Sequence, residues 1–410
     1  MQQNILTKEF LPPEIASGKK AHVESVAAAG ESLWLRDFYL QQPQQLLFIT
    51  RRSSDAYHLL EELEFFAPEI PVRYLPDWET LPYDAFSPSD DIIGKRVTAL
   101  VGLLDKHPGI TITTITAMML PCAPPSFIAQ NAFLLEIGAH YRLGDLQQRL
   151  QQGGYQRVGR VLTAGEYAIY GGQIDIYPPG AKHPVRLVLE DDAIEQIRLF
   201  DTQSQRSIER VDSFSLLPMS ECDFSPAGRS TFISGYYDQF SDDHAAICRH
   251  IKNKEVVAGI EYYLPLFYGE RNSIFDYLSP QTTVVTHEGL EDPLKAFLHQ
   301  ARLRQKIVGT YEDRPTLPVS TLLMSAEDFF ITLRQFPQAI LKTAAAATAA
   351  PALPVDSRVE NSHKKLLEFI NTDDGQIIIA VDSPGRCDTL AVVLAEAKVK
   401  AVQCDTFSEC

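Results

Sequence analysis

Residues 159–218 constrain the fold more than any other stretch. "QIDIYPP", "PVRLVLED", "AIEQIRLFD" and "SIERVDSFSLLP" follow one another as short alternating strands with turn residues between them. Such spacing allows hairpins and leaves no room for the helical crossovers of a parallel sheet, so a small antiparallel sheet is predicted here. The flanking sequence has a different rhythm. "ESLWLRDFYL" and "SSDAYHLLEELEFF" have helical spacing, and the second opens on a Ser/Asp cap. "QLLFIT", "VRYL" and "GITITTI" are short strands, and Ile93, Val97, Leu100 and Val101 mark an amphipathic helix before the last of them. That alternation predicts βαβ units on a parallel sheet, with "GIEYYLPLFYG" and "TTVVTHEGLED" returning to it after the antiparallel unit.

The expected fold class is therefore α/β: a parallel-sheet domain split by an inserted, small antiparallel β-rich domain, then a linker and a partial second α/β domain. The expected divisions are 1–126 and 219–320 for the two parts of the first domain and 127–218 for the insertion. Residues 321–354 form a connecting segment ending in the Ala/Pro tract "TAAAATAAPALPVDS", and 355–410 the last unit. That last unit holds a helix "HKKLLEFIN", a strand "QIIIAVD" and a helix from Gly385, and reads as a fragment cut within a domain.

Charge and cysteine usage exclude several functions. The chain has 53 acidic and 37 basic residues and a net charge of −16, which opposes binding to a phosphate backbone unless basic residues are segregated; no basic run stands out. The six cysteines are dispersed without a C-x-x-C pair, which speaks against a zinc site or a disulfide framework and fits a reducing cytoplasm. The start "MQQNILTKEF" has no apolar signal core, and no apolar run approaches a membrane span.

Catalytic signals are incomplete. In "IASGKKAH" Lys20 stands where a phosphate loop needs a Ser or Thr hydroxyl for magnesium. At the end of the strand "TTVVTHEGLED", Thr286 and His287 occupy the place of the acidic pair such a site requires. Asp90, Asp91, Asp191 and Asp192 suit helix caps and turns, and the histidines show no metal spacing. Ser383 and Gly385 in "VDSPGRCDTL" form a strand-to-helix connection without the paired glycines of a dinucleotide fingerprint. The loop "LPDWETLPYDAFSPSDD" concentrates Trp78, Tyr83 and Phe86 among prolines and carboxylates. Its acidic neighbours disfavour stacking on nucleic-acid bases, so it is expected to be pinned against the sheet by its own aromatics.

"DWETLPYDAFSPSDDII", "GEYAIYGGQIDIYPPG" and "AGIEYYLPLFY", in that order, resemble the N-terminal, UvrB-like region of the bacterial transcription-repair coupling factor family. The resemblance implies a split α/β domain, an inserted antiparallel domain that offers a face to UvrA, and a further α/β domain. It also implies that the aromatic loop is a remnant lacking a DNA-clamping hairpin, and that this chain has no working ATPase site, catalytic residue, metal or cofactor. ATP, Mg2+, RNA polymerase and double-stranded DNA belong to motor and polymerase-binding domains of the full-length family member, an ATP-dependent DNA translocase. Of the family's UvrA-contacting positions, one arginine is kept as Arg186, a second is replaced by Tyr170, and an aromatic residue is replaced by Glu190. Two other functions fit the α/β pattern: an ATP-dependent DNA-unwinding enzyme, and a small-molecule-binding protein using the Ser383 turn.

Overall fold

A computed structural model describes residues 15, 18–23, 30–240, 245–253, 255, 257–309, 315–342, 363–372, 377, 379, 381, 383–404 and 407. Four strands come first: β1 Lys20–Val23, β2 Gln45–Thr50, β3 Val72–Leu75 and β4 Gly109–Thr114. Eight follow without interruption by the first sheet: β5 Phe133–Glu136, β6 Gln156–Arg157, β7 Glu166–Tyr170, β8 Gln173–Ile176, β9 Val185–Glu190, β10 Ala193–Phe200, β11 Ser207–Val211 and β12 Ser213–Leu216. The last two are β13 Thr283–His287 and β14 Gln338–Leu341.

The first four and last two strands make one parallel sheet in the order β1-β14-β13-β2-β4-β3. β2 and β4 are buried along their whole length, which is why they read as apolar runs without alternation. The polar side chains inside are bonded: Thr113 donates to the Leu75 carbonyl at 2.8 Å and Thr50 to the Thr113 carbonyl at 3.1 Å. β6 to β11 form a second sheet, in the order β11-β10-β9-β8-β7-β6, antiparallel except for the short β6–β7 pairing. β5 and β12, which bracket these strands in sequence, pair with each other as a separate two-stranded antiparallel ribbon.

Three expectations shift. Residues 319–333 form two helices, Val319–Leu322 and Ala326–Leu333, and β14 then enters the parallel sheet between β1 and β13. The expected connecting segment from 321 is thus part of the α/β core up to Leu341. Its strand "QAIL" is too short to stand out, and its burial comes from two neighbouring strands far away in sequence. "IEYYLPLFY" is a 3-10 turn followed by a short helix, Ile260–Tyr263 and Leu264–Tyr268, so only β13 returns to the sheet there. Finally, the helix Pro125–Asn131 runs across the expected division at 126. The Ala/Pro tract and most of "QIIIAVD" lie outside the described residues.

The aromatic loop is pinned, but by a partner from another part of the chain. Trp78 meets Tyr262 edge-on at 5.1 Å between ring centroids, and Tyr83 stacks on Tyr262 at 5.9 Å. The Tyr262 hydroxyl donates to the Leu81 carbonyl at 2.6 Å, and the Tyr83 hydroxyl to that of Leu317 at 2.9 Å. Burial pushes the Tyr262 hydroxyl up to about 12, so it remains a donor at neutral pH. Phe86, by contrast, is 69% exposed.

The passage between the two sheets is fixed by charge. Arg96, on the helix Asp90–Leu104, is fully buried and binds both carboxylate oxygens of Glu221 at 2.5 and 3.3 Å. Its third branch donates to the Pro76 carbonyl at 2.8 Å, while the Ala123 amide donates to Glu221 at 3.2 Å. Ala123 precedes the antiparallel unit and Glu221 follows it, so the Glu221 carboxylate, paired with Arg96, ties the incoming to the outgoing chain through the Ala123 amide.

Candidate partner-binding face

Alternation along the antiparallel strands separates two faces. Tyr167, Ile174, Ile176, Val185, Leu187, Ile194 and Ile197 point to one side, where Leu146 and Leu150 of the helix Leu143–Gln152 close a core. The opposite side carries two rows set by the register, since residues directly opposite each other across a sheet share a face. One row is Tyr170, Gln173, Val188 and Gln196; the next is Ala168, Asp175, Arg186, Arg198 and Arg210. A bulge between Ile194 and Gln196 removes Glu195 from the alternation and keeps Gln196 and Arg198 in these rows. The lower part of this side is covered by a small cluster of Val161, Ala168 and Phe200. The upper part is open.

Arg186, Tyr170 and Glu190 all lie on this side: alternation along β9 puts Arg186 and Glu190 there, and the pairing of β7 with β8 and β8 with β9 adds Tyr170. They do not have equal freedom. Arg186 forms a two-pronged ion pair with Asp175, Nε to Oδ1 at 2.8 Å and Nη2 to Oδ2 at 2.7 Å. Its Nη1 donates to the Gln205 carbonyl at 3.2 Å, and the guanidinium lies 4.5 Å from the centroid of the Phe200 ring. With Asp175 1% exposed and Arg186 17%, this arginine neutralises a buried carboxylate before it meets any partner. Tyr170 is 46% exposed, and its hydroxyl donates to the Gly159 carbonyl, tying the covering loop to the edge of β7. Glu190 is exposed at the end of β9, where Asp191 and Asp192 turn the chain with φ of 49° and 63°.

Arg198 and Arg210 share this face without having been expected there. Their signal was present in the alternation of "QIRLF" and "SIERV", but the register that lines them up with Arg186 depends on two bulges that no residue type announces.

The residues considered for a nucleotide site are not gathered. Thr286 and His287 end β13, at the carboxyl edge where open α/β sheets bind ligands. Thr286 is buried, and His287 Nε2 is 3.0 Å from each carboxylate oxygen of Glu31, with its ring edge-on to Phe48. Lys20 is on a strand and not in a loop: it begins β1 opposite Gln338, which is itself opposite Val284. That sets Lys20 two strands away from His287 and three residues lower, roughly 10 Å along the strand direction. Among the described residues no cluster of three or more His, Cys, Asp or Glu is arranged to hold a metal ion, and no helix is long and apolar enough to cross a membrane. Ser383 caps the helix Pro384–Glu396 by accepting from the Arg386 amide at 3.4 Å.

Residues 133–222, which run from β5 to just beyond Glu221, match the UvrB interaction domain family, and residues 369–410 match the family described as MFD, D3 domain. The chain is 32% identical over 367 residues to the transcription-repair-coupling factor of Escherichia coli strain K12, a match covering 86% of this chain and 32% of that protein. It is 28% identical over 415 residues to that of Haemophilus influenzae, covering 98% of this chain and 36% of the relative. For Rickettsia bellii the identity is 27% over 255 residues, 61% of this chain and 23% of the relative. The chain thus spans about a third of the length of the first two of these relatives.

Proposed function

We propose that this relative of the transcription-repair coupling factors, through its UvrB-like region, is a recruitment module whose open antiparallel-sheet face docks UvrA and so brings nucleotide excision repair to lesions where RNA polymerase has stalled. One observation carries the proposal: the span matching the UvrB interaction domain is the antiparallel unit, and the side of that unit turned away from its core gathers Tyr170, Arg186 and Glu190. The opposite side is closed by the unit's own helix. A partner therefore has one broad sheet surface to meet.

The chemistry of the face suits a protein partner. Tyr170, Gln173, Val188 and Gln196 give a row of mixed apolar and hydrogen-bonding character, the composition of an interface and not of a catalytic pocket. Asp175 and Arg186 stiffen its centre, so little side-chain freedom is lost on docking there. In the full-length protein, release of the stalled polymerase by ATP-driven translocation on double-stranded DNA would fall to domains other than this one, together with ATP and Mg2+. The separation of Lys20 from Thr286 and His287 supports a chain that acts by its surface and does not turn over nucleotide. The compartment proposed is the cytoplasm.

Calorimetric titration of UvrA from the same cell into this chain tests the proposal. Saturable heat at micromolar concentration or below is expected, and none is expected with Tyr170→Glu and Val188→Glu combined. Absence of heat from the unchanged chain would refute it.

A further inference from the structure

Three arginines occupy directly opposite positions on three adjacent strands: Arg186 on β9, Arg198 on β10 and Arg210 on β11. Like charges directly opposite across a sheet are destabilising, so folding alone does not favour this row. One carboxylate, Asp175, lies in the row, and both of its oxygens are bound by Arg186. Arg198 donates to Gln196, a neutral group, and Arg210 is exposed with no ion pair among the described residues. The row therefore carries two uncompensated positive charges on a chain whose net charge is −16.

Resting on the assignment of this face to UvrA, we infer that Arg198 and Arg210 extend the docking surface beyond the family positions and select a partner that presents at least two carboxylates opposite them. A protein fits better than a nucleic acid. Glu190, Asp191 and Asp192 stand at the end of the same β9–β10 hairpin, so the basic row is bounded by carboxylates and offers no long track along this face for a phosphate backbone to follow. Separate guanidinium forks are instead matched to carboxylates, which they bind in a planar, two-pronged geometry.

The sheet's own energetics provide a readout that separates docking from structure. Arg198→Gln with Arg210→Gln removes a like-charge contact, so the melting temperature should hold or rise while affinity for UvrA falls at least tenfold. The residual binding should depend less steeply on salt than that of the unchanged chain. Arg198→Lys with Arg210→Lys should recover part of the affinity. If UvrA binds the unchanged chain and the glutamine pair within twofold of each other, the inference is wrong while the docking face stands. If UvrA binds neither, the assignment of the face fails and the inference with it. If the glutamine pair keeps UvrA but loses binding to a 30-base-pair duplex, the row serves nucleic acid and the inference is overturned.

Discussion

Gly94 and Gly180 meet backbone to backbone: a Cβ added to Gly94 would lie 2.5 Å from the Gly180 amide nitrogen. Gly94 is on the helix Asp90–Leu104 of the α/β part, and Gly180 ends the "YPPG" turn of the antiparallel unit with φ of 69°. A side chain at position 94 would force the two units apart. Glycine to alanine inside a helix ordinarily stabilises by about 1 kcal/mol. Here the clash with rigid backbone should reverse the sign, and Gly94→Ala should lower the melting temperature, as calorimetry would show.

The Arg96–Glu221 pair predicts a second effect. Removing one partner of a buried ion pair strands the other, at a cost of about 3–5 kcal/mol. Burial pushes the thiols of Cys122 and Cys222 well up, and both flank this crossing. In the unchanged protein both should resist a thiol reagent that labels Cys387 and Cys404. Arg96→Ala should expose Cys122 and Cys222 to labelling below the melting transition, detected by mass spectrometry. Equal protection in both proteins would mean that the pair does not hold the crossing shut.

Arg186→Ala should destabilise the antiparallel unit, because Asp175 would be left buried and unpaired. Asp175→Asn together with Arg186→Met should recover most of the stability and so separate folding from docking. Urea titration gives the first quantity, and UvrA titration of the double variant the second. Retained affinity in that variant would show that Arg186 acts on the partner through the fold and not by contact.

Nucleotide should bind weakly or not at all. With Lys20 on an edge strand and His287 held by Glu31, a titration with ATP and magnesium should give no saturable heat at micromolar concentration. Saturable, magnesium-dependent heat would place a phosphate site where these residues do not converge.

Local periodicity was sufficient for β2, β4 and β13, which are buried on both faces, and for the alternating strands β8 to β12, but not for the short β1, β5 and β6. Pairing over long separations was not legible. Tyr262 against Trp78, and Gly180 against Gly94, depend on which surfaces the chain brings back together, and neither contact leaves a local period. The same limit applied to β14, four residues whose place in the sheet comes from β1 and β13. At the candidate site Arg186, Tyr170 and Glu190 were found by resemblance, but the sequence did not reveal that Asp175 already occupies Arg186. That pairing needs β8 and β9 in register, which the hairpin sets and residue identity does not.

The most direct test of the central claim is site-specific photocrosslinking to UvrA. A photoreactive amino acid replacing Gln173, in the middle of the open face, should crosslink to UvrA when the two proteins are mixed at physiological salt. The same group replacing Ile331, half exposed on the helix Ala326–Leu333 of the α/β part, should not. Crosslinking from position 331 and none from 173 would contradict the account and move the docking surface off the antiparallel sheet.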